Sequence, residues 1–362
     1  MIMGSKKSNV VNEFVELSRY VGGRFDLVQA GGGNTSVKLD DRKMLIKASG
    51  IHLSEIEEGK GYVEVDYVRL AKIADFRDTW IGLDKGIRDS IVLQHVEKCT
   101  FASQKVERAS IEVFMHAVLG RFVLHAHPIS VNAISCGEDW EEIFTDLFPK
   151  SLCIPYFSPG IELGIELSDR LQVFRSNFGV QPELIFLQNH GLLVTGESQE
   201  AVQSLTEAVV LTCEDFCNID LGRYRNSSAL ASYFGEGFVA YLSEDQELLD
   251  LHRSLNWVES QRPLYPDSFV FCGLRPMILE NIDSQASLRE YEKNFQTRPK
   301  IVIFRGQLYF IARSVRKARE IEEIYKAHAL VLTSLPRGPI HLSEDELAYL
   351  GNWEAEKYRE EK

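Results

Sequence analysis

Residues 110–128 read Ser-Ile-Glu-Val-Phe-Met-His-Ala-Val-Leu-Gly-Arg-Phe-Val-Leu-His-Ala-His-Pro, and this stretch changes its hydrophobic period in the middle. Before Gly120, apolar residues recur at the spacing of an amphipathic helix, which Ser110 is placed to cap. After Gly120, the period becomes two until Pro128 ends it, as in a β-strand. The stretch therefore predicts a helix followed directly by a strand.

His125 and His127 are the chemically informative residues of this strand. Alternate residues of a strand lie about 7 Å apart along the backbone, so both imidazoles can reach one ion from the same side. Their neighbours Leu124 and Ala126 are apolar, which indicates a buried strand. Burying two imidazoles without partners costs several kcal/mol, and a bound metal ion removes that cost.

His190 is the candidate for a third ligand. It interrupts an apolar pattern after Gln188 and Asn189, and it precedes Gly191, which allows close approach of another segment. Three neutral nitrogen donors with an open fourth position are typical of a Lewis-acid zinc site. Glu112 is then a candidate fourth ligand or general base, with a helix-dipole interaction as the alternative. The remaining histidines of the nine are interpreted as ordinary core or surface residues.

A glycine-rich turn near the N-terminus predicts an anion site. Residues 31–36 read Gly-Gly-Gly-Asn-Thr-Ser, which lacks the lysine of a Walker loop and the last glycine of a dinucleotide fingerprint. The backbone amides and polar side chains of this turn, together with Ser49 and Gly50, can cradle an anion. A simple flexible turn explains the same residues, so both interpretations stay open.

The amino-acid composition, and above all the net charge, indicates which classes of binding partner are not expected. The chain has 362 residues, with 53 acidic against 40 basic side chains and a formal net charge of −13. This charge repels phosphate backbones and anionic membranes, so no nucleic acid and no membrane partner is expected. No apolar run approaches a bilayer span and no signal-peptide pattern is present, which predicts a cytoplasmic location. The scattered cysteines are expected to be reduced.

Short motifs in a fixed order make the chain resemble the class II aldolase/adducin family. They are Gly-Asn-Thr-Ser at 33–36, Ser-Gly at 49–50, Ser-Ile-Glu at 110–112, His-Ala-His-Pro at 125–128 and Asn-His-Gly at 189–191. The resemblance to the family core covers residues 9–222. The remainder is similar to the continuation found in the aldolase half of bifunctional rhamnulose-phosphate aldolase/short-chain dehydrogenase proteins.

The resemblance implies a fold and a reaction. The implied fold is a three-layer α/β/α domain around a mainly antiparallel sheet over residues 1–222, with a smaller C-terminal α/β extension over residues 223–362. The implied function is a zinc-dependent retro-aldol lyase of carbohydrate metabolism that acts on a rhamnulose- or fuculose-phosphate-like ketose phosphate. Another divalent transition metal would use the same ligands, and the family is usually homotetrameric.

The resemblance also assigns roles to residues of this chain. His125, His127 and His190 match the zinc ligands, and Glu112 matches a ligand or proton-transfer residue. The matching phosphate contacts are Gly33, Asn34, Ser36, Ser49, Gly50 and Ser110. Ile111 stands where sugar-phosphate aldolases often carry a second serine, which predicts weaker phosphate anchoring.

Other functions stay open at this level. A sugar-phosphate 4-epimerase, a dehydratase or a decarboxylase would use the same metal site, and an adducin-like interaction module would keep the fold without catalysis. Retention of Glu112 and the three histidines weighs against the module, since a scaffold has no need of them. The sequence identifies neither the sugar nor a tyrosine that serves as proton donor.

Local patterns complete the secondary-structure prediction. Residues 9–21 predict a helix, residues 65–106 predict mostly helix, and residues 268–272 predict a strand. From residue 301 the order is strand, glycine, strand, serine and helix. This order weakly repeats the one that begins at residue 184.

Overall fold

The computed structural model describes residues 2–72, 77, 83–101, 107–235, 237–255 and 262–352. The chain forms two compact units, Met1–Leu221 and Gly222–Lys362. Within the described ranges, no helix combines the length and the apolar character needed to cross a bilayer. Of the predicted helical stretch 65–106, residues 73–76, 78–82 and 102–106 lie outside the described residues.

A seven-stranded sheet forms the centre of the first unit, as far as the chain is described. Its strands are β1 (Asn34–Lys38), β2 (Lys43–Lys47), β3 (Tyr62–Asp66), β4 (Phe122–Ala126), β5 (Leu152–Ile154), β6 (Leu184–Leu187) and β7 (Gly191–Gly196). Their order across the sheet is β3-β2-β1-β4-β7-β6-β5, and only β5 and β6 pair in parallel. The mainly antiparallel sheet is therefore confirmed.

Helices cover both faces of this sheet. They are α1 (Ile2–Gly22), α2 (Tyr67–Ala71), α3 (Lys85–Cys99), α4 (Val113–Val118), α5 (Ile129–Ser135), α6 (Trp140–Leu147), α7 (Ile161–Phe178) and α8 (Gln199–Cys217). Helices α1, α5, α6 and α8 share one core, which includes Phe14 and Val209. Helices α2, α3, α4 and α7 pack on the other face through residues such as Phe114 and Leu167. This packing confirms the three-layer α/β/α prediction.

The predicted helical stretch 65–106 begins two residues too early. Its first residues, Val65 and Asp66, belong to β3. The helix starts only after Asp66, whose side chain accepts a hydrogen bond from the backbone amide of Arg69 at 3.1 Å. A five-residue strand carries too short a periodic signal to be separated from the helical pattern that follows it.

The second unit is a smaller α/β fold, which confirms the predicted extension. Its elements are α9 (Gly222–Phe234), β8 (Val239–Leu242), α10 (Gln246–Ser254), α11 (Pro266–Cys272), β9 (Met277–Leu279), α12 (Ala286–Phe295), β10 (Ile301–Phe304), β11 (Gln307–Ala312), α13 (Val315–Ser334) and α14 (Glu344–Asn352). The strand order is β8-β11-β10-β9, with only β9 and β10 parallel. Helices α10, α11 and α13 contribute Leu248, Cys272 and Tyr325 to its core.

The strand predicted over residues 268–272 is wrong, because these residues belong to helix α11. Pro266 occupies the first turn, where its fixed φ suits a helix and its missing N–H breaks no hydrogen bond. The Ser268 hydroxyl accepts a hydrogen bond from the backbone amide of Tyr265 at 3.2 Å and closes the helix N-terminus. In a short apolar run, the hydrophobic period does not distinguish a strand from a helix. Here Pro266 and Ser268 are the signals that indicate a helix.

Candidate metal centre

The structure brings the three predicted histidines together. His125 lies on β4, His127 directly follows that strand, and His190 lies in the turn between β6 and β7. One ligand atom from each histidine lies within 4.8 Å of the others, and the Nε2 atoms of His125 and His127 are 3.2 Å apart. Direct pairing of β4 with β7 explains why residues so distant in sequence meet.

The neighbouring strand sets the tautomer of His125. Its Nδ1 lies 3.1 Å from the carbonyl oxygen of Leu192, which can only accept, so Nδ1 carries the proton. The lone pair of Nε2 therefore faces the cluster. Burial, together with repulsion from His125 and His190, lowers the pKa of His127 to about 3, so this imidazole is neutral near pH 7. Neutral imidazoles are the form that binds metal ions.

This donor set fits a divalent transition metal. The Nδ1 proton of His125 is donated to the Leu192 carbonyl, so Nε2 of His125 carries a lone pair. Because this Nε2 atom lies 3.2 Å from Nε2 of His127, a proton or a cation must lie between the two nitrogen atoms. The buried Nδ1 of His190 has no hydrogen-bond partner within the described part of the chain. Three imidazole nitrogens suit zinc and related ions, so the residues present fit the implied cofactor.

Glu112 contacts two of the three histidines. Its Oε1 lies 3.1 Å from Nε2 of His190 and 3.5 Å from Nε2 of His125. Burial alone would raise the pKa of this carboxyl, but its electrostatic and hydrogen-bond interactions with His125 and His190 hold that pKa well below its usual range. The cluster therefore contains an ionised carboxylate beside the imidazole nitrogens.

The start of helix α4 differs from the prediction in a way that positions Glu112. The helix begins at Val113, and Glu112 is its N-cap residue rather than part of its first turn. The Ser110 hydroxyl accepts a hydrogen bond from the backbone amide of Glu112 at 3.3 Å. Ser110 therefore organises the turn before the helix, and Ile111 in that turn is 48% exposed.

Asn34 holds the Glu112 carboxylate. On β1, Asn34 is the register partner of His125 on β4, and its side-chain amide donates a hydrogen bond to Oε2 of Glu112. Asn34 is 2% exposed, so this contact is shielded from water. The residue predicted to bind phosphate thus lies against the carboxylate that contacts the three-histidine cluster.

Ser36 is paired with His116, one of the histidines predicted to be an ordinary core or surface residue. The Ser36 hydroxyl and Nδ1 of His116 are 2.8 Å apart, and both residues are fully buried. Burial and repulsion from His125 lower the pKa of His116 to about 3, so its imidazole is neutral. The available signal was the helical i, i+4 spacing from Glu112, which places His116 one turn further along α4.

The other predicted anion contacts lie in different environments. Ser49 and Gly50 are exposed, and the backbone amide of Ser49 donates to the carbonyl of Arg108 at 2.7 Å, which brings both residues beside Ser110. Gly33 is buried directly before β1, against the backbone of His125. Exposed Ser49, Gly50 and partly exposed Ser110 therefore form a group separate from the buried Gly33.

Lys47 is a further charged residue of this region and is not among the predicted site residues. It is 3% exposed at the end of β2, and its ammonium donates to the carbonyl oxygen of Gly31 at 3.0 Å. Burial lowers the pKa of Lys47, and the Glu112 carboxylate opposes that shift. The available signal was a lysine on a buried strand, two residues before the Ser49-Gly50 motif.

Comparison with known proteins assigns the family. The sequence profile of the Class II Aldolase and Adducin N-terminal domain matches residues 12–217. The chain belongs to this family. Its similarity to bifunctional rhamnulose-phosphate aldolase/dehydrogenase proteins stays a prediction.

Individual relatives cover different shares of the chain. The uncharacterized oxidoreductase YuxG of Bacillus subtilis (strain 168) is 27% identical over 218 residues, which are 58% of this chain and 30% of that protein. A 3-oxo-tetronate 4-phosphate decarboxylase of Haemophilus influenzae is 23% identical over 195 residues, 51% of this chain and 77% of that protein. A solved N-terminal class II aldolase domain from Thermoplasma acidophilum aligns with 57% of this chain and 93% of its own, at 26% identity and a TM-score of 0.48. The chain thus spans less than a third of the first curated relative.

Proposed function

We propose that this chain is a metal-dependent lyase that cleaves a ketose phosphate by retro-aldol chemistry. The observation that carries the proposal is the contact of the ionised Glu112 with His190 and His125 inside a three-histidine cluster. Family membership supports it, since residues 12–217 match the class II aldolase/adducin profile. The first compact unit is the proposed catalytic domain, and a cytoplasmic location and a homo-oligomeric state stay predictions.

The three histidines are the proposed metal ligands. His125, His127 and His190 would hold a divalent ion, with zinc the ion that this donor set suits best. When bound, the ion supplies Lewis-acid stabilisation of negative charge on substrate oxygens. The hydrogen bond between Nδ1 of His125 and the Leu192 carbonyl keeps the ligand nitrogen directed at the cluster.

Glu112 is the proposed proton-transfer residue. Its carboxylate would take up or return the proton at the carbon next to the substrate carbonyl, the site where charge develops when the carbon–carbon bond breaks. Asn34 binds one carboxylate oxygen and leaves the other toward the histidines. We infer that Asn34 is a positioning residue for this base.

The substrate phosphate would bind at the exposed group formed by Ser49, Gly50 and Ser110. We omit Ser36 from this group because its hydroxyl is already bound to His116 in the protein interior. Asn34 is omitted because its amide binds Glu112. Both changes follow from contacts that a single sequence does not reveal.

A decarboxylase acting on a phosphorylated 3-oxo sugar acid is the second candidate. It is favoured by the 23% identity to the Haemophilus influenzae decarboxylase. Retro-aldol cleavage and decarboxylation both leave negative charge on a substrate carbonyl oxygen, so one metal site serves either reaction. The two reactions differ in their products, an aldehyde in the first case and carbon dioxide in the second.

A product assay tests the proposal. Metal-loaded protein is supplied with ketose 1-phosphates, their unphosphorylated forms and phosphorylated 3-oxo acids, and products are identified by mass. We expect a ketose 1-phosphate to yield dihydroxyacetone phosphate and an aldehyde, at least roughly tenfold more efficiently than the free ketose. Carbon dioxide without aldehyde supports the decarboxylase, and unchanged mass with altered stereochemistry supports an epimerase. No turnover by metal-loaded protein supports the adducin-like module.

Replacing Glu112→Gln tests the base. The amide keeps the size of the side chain and can still accept the hydrogen bond from Asn34, but it cannot take up a proton. We expect kcat to fall by roughly two to four orders of magnitude while the melting temperature changes little. Glu64→Gln on β3, which removes a carboxylate paired with Lys43, is the matched control and should keep full activity. A fully active Glu112→Gln enzyme would remove Glu112 from the mechanism.

Replacing Asn34→Ala separates positioning of the base from binding of phosphate. Since the Asn34 amide binds Glu112, its loss should lower kcat about tenfold and leave KM nearly unchanged. Asn9→Ala on the exposed face of α1 is the control. A rise in KM without a change in kcat would instead return Asn34 to the group of phosphate contacts.

A further inference from the structure

The second unit contains a pocket of its own. The pocket lies at the C-terminal end of α11, against α13 and the first residue of β10, and measures about 230 Å³ including its open mouth. All of its lining residues belong to the unit Gly222–Lys362. Among the described lining residues none is acidic, and those with polar or ionisable side chains are Arg262, Ser268, Cys272, Arg275, Tyr325 and His328. In a chain with a formal net charge of −13, this lining is unusually cationic.

Each arginine of the pocket directly precedes a buried proline, Pro263 or Pro276. A proline restricts the residue before it to extended backbone conformations, so both arginines have little backbone freedom to lose when a ligand binds. The carbonyl oxygen of Arg275 also accepts a hydrogen bond from the Tyr291 hydroxyl at 2.6 Å. The guanidinium of Arg275 packs over the ring of Phe295, 4.6 Å from its centroid. The pocket is therefore partly organised before any ligand enters.

Aromatic side chains form the inner wall of the pocket. The imidazole of His328, which is 4% exposed, lies 6.2 Å from the ring of Tyr265 and 6.4 Å from the ring of Tyr325, measured between centroids. The Tyr325 hydroxyl is in turn 3.2 Å from Nδ1 of His252. The buried Ser268 hydroxyl donates a hydrogen bond to the Tyr265 carbonyl at 2.7 Å. The pocket thus combines a packed, buried inner wall with two exposed guanidinium groups.

The carboxylate beside Arg262 is a weak competitor for a ligand. Nη2 of Arg262 lies 3.6 Å from Oε1 of Glu344, and these side chains are 48% and 88% exposed. An exposed ion pair at this separation contributes little to stability, so an anion with better geometry can replace it. Arg298 provides the contrast, since it also precedes a buried proline and is 49% exposed, but it is not among the described lining residues. Its Nε lies only 2.9 Å from Oε1 of Glu292.

The size and the donors of the pocket indicate the class of ligand. The volume of about 230 Å³ is below the roughly 300 to 1,000 Å³ of pockets that hold drug-sized ligands, so the ligand is small. Guanidinium groups bind phosphate and carboxylate through paired hydrogen bonds. A phosphate monoester offers three terminal oxygens and nearly two negative charges to two arginines, whereas one arginine already occupies both oxygens of a carboxylate. Two guanidinium groups therefore favour phosphate.

We propose that the second unit binds the phosphate monoester of a short polyol in this pocket, through Arg262 and Arg275. The chain then has a small-molecule site in each unit, and the site in the second unit contains none of the proposed metal ligands. This inference does not depend on the proposed lyase reaction, because it requires neither the metal ion nor Glu112. A short carboxylate has the same chemistry toward guanidinium groups and is the competing source of the anion.

Arginine footprinting on the metal-loaded full chain tests the inference at the level of single residues. Phenylglyoxal modifies exposed arginines, and mass spectrometry of proteolytic fragments gives the modification rate at each position. The probe is glycerol 3-phosphate, and glycerol is the neutral control with the same carbon skeleton. At about ten times the dissociation constant of the probe, occupancy predicts roughly tenfold slower modification of Arg262 and Arg275. Arg298, with the same exposure and the same following proline, is the matched control and should react at an unchanged rate.

Calorimetric titration of variants provides the second test. The double variant Arg262→Gln, Arg275→Gln should bind one equivalent of glycerol 3-phosphate per chain fewer than wild type, since both charged groups are lost. Counting equivalents separates this pocket from binding at the exposed group of Ser49, Gly50 and Ser110. Arg298→Gln should bind as many equivalents as wild type. If the double variant lowers the melting temperature, Arg262→Gln alone replaces it and should weaken this binding about tenfold or more.

The outcomes separate the possible ligands. Stronger protection of both arginines by glycerate than by glycerol 3-phosphate supports an anion pocket and assigns a carboxylate as the group. No protection by either anion, equal protection by glycerol, or equal protection of Arg298 would overturn the inference. An unchanged number of equivalents in the double variant would do the same. Because neither measurement involves turnover, absence of lyase activity would contradict the proposed function and leave this result standing.

Discussion

One local arrangement occurs twice in the described parts of the chain, once with a histidine of the three-histidine cluster in its turn and once without a histidine there. Strands β6 and β7 with helix α8, and strands β10 and β11 with helix α13, are each an antiparallel pair followed by a helix. Both helices are capped by a serine, Ser198 or Ser314, whose hydroxyl accepts a hydrogen bond from a backbone amide three residues later at 3.2 Å. The same scaffold therefore exists in both units.

The two copies differ at the turn between the strands. In the first copy the turn covers residues 188–190, includes Asn189 at φ 53°, and carries His190 into the three-histidine cluster. In the second copy Arg305 and Gly306, at φ 50° and 74°, close a two-residue hairpin. The turn of the first copy is one residue longer and contains His190, whereas the two-residue turn of the second copy contains no histidine.

The two copies also differ in the strand that pairs with the hairpin. β7 pairs with β4, which carries His125, whereas β11 pairs with β8, which has no histidine. Among the residues with described positions, the three-histidine cluster is the only such group of metal-ligating side chains. Of the two described copies, only the first has histidines both in its turn and on its partner strand, so only the first is a candidate metal site.

Removal of the turn histidine should produce the largest difference between the two copies. His190→Ala takes away one of three nitrogen donors, so metal content should fall well below the roughly one ion per chain expected of wild type, and activity should fall roughly a hundred- to a thousandfold. Elemental analysis and the product assay measure both. His341→Ala in the second unit is the control and should keep the metal. Full metal content in His190→Ala would exclude the turn as a source of a ligand.

Substitution of Gly191, where β7 closely approaches β4, should have the next largest effect on stability and metal binding. A Cβ atom on Gly191 would lie 2.3 Å from the backbone oxygen of Ala126 and 2.9 Å from Cδ2 of His127. Because the first contact is with backbone, Gly191→Ala should lower the free energy of unfolding by about 1 to 3 kcal/mol or more. It should also weaken metal binding, since His127 must move. Denaturant unfolding with unchanged midpoint would mean that the strands separate easily at this point.

The positions of the chemistry-bearing residues were largely predictable, because their signals are local. The period of two places His125 and His127 on one strand face, and polar residues followed by glycine mark the turn of His190. Ser314 is predictable as a helix N-cap, because it directly precedes a segment whose apolar residues have a helical period. Each of these signals needs only a few consecutive residues.

The partners of those residues were not predictable from one sequence, because strand register determines them. Asn34 reaches Glu112 only because β1 pairs with β4 and sets Asn34 opposite His125. The Ser36–His116 and Lys47–Gly31 contacts likewise join segments that no local pattern connects. The sequence therefore indicated an anion site near these residues, while the choice among its donors depended on the sheet.

Substitution of Gly306 in the two-residue hairpin of the second copy should have the smallest effect on the free energy of unfolding. It also serves as a control, because the hairpin contains no histidine. Gly306 has φ 74°, and a Cβ atom there would meet no other atom within 4 Å, so Gly306→Ala costs only backbone strain. We expect a loss of about 1 kcal/mol in the free energy of unfolding, with metal content and activity unchanged. Gly306→Asn should cost less than Gly306→Ala, because asparagine tolerates the left-handed conformation. At Gly191 the loss of unfolding free energy should increase with side-chain volume, so Asn should destabilise the protein more than Ala. At Gly306 the loss comes from backbone strain, so Ala should destabilise the protein more than Asn. The same rank order at both positions would show that one physical cause governs both turns.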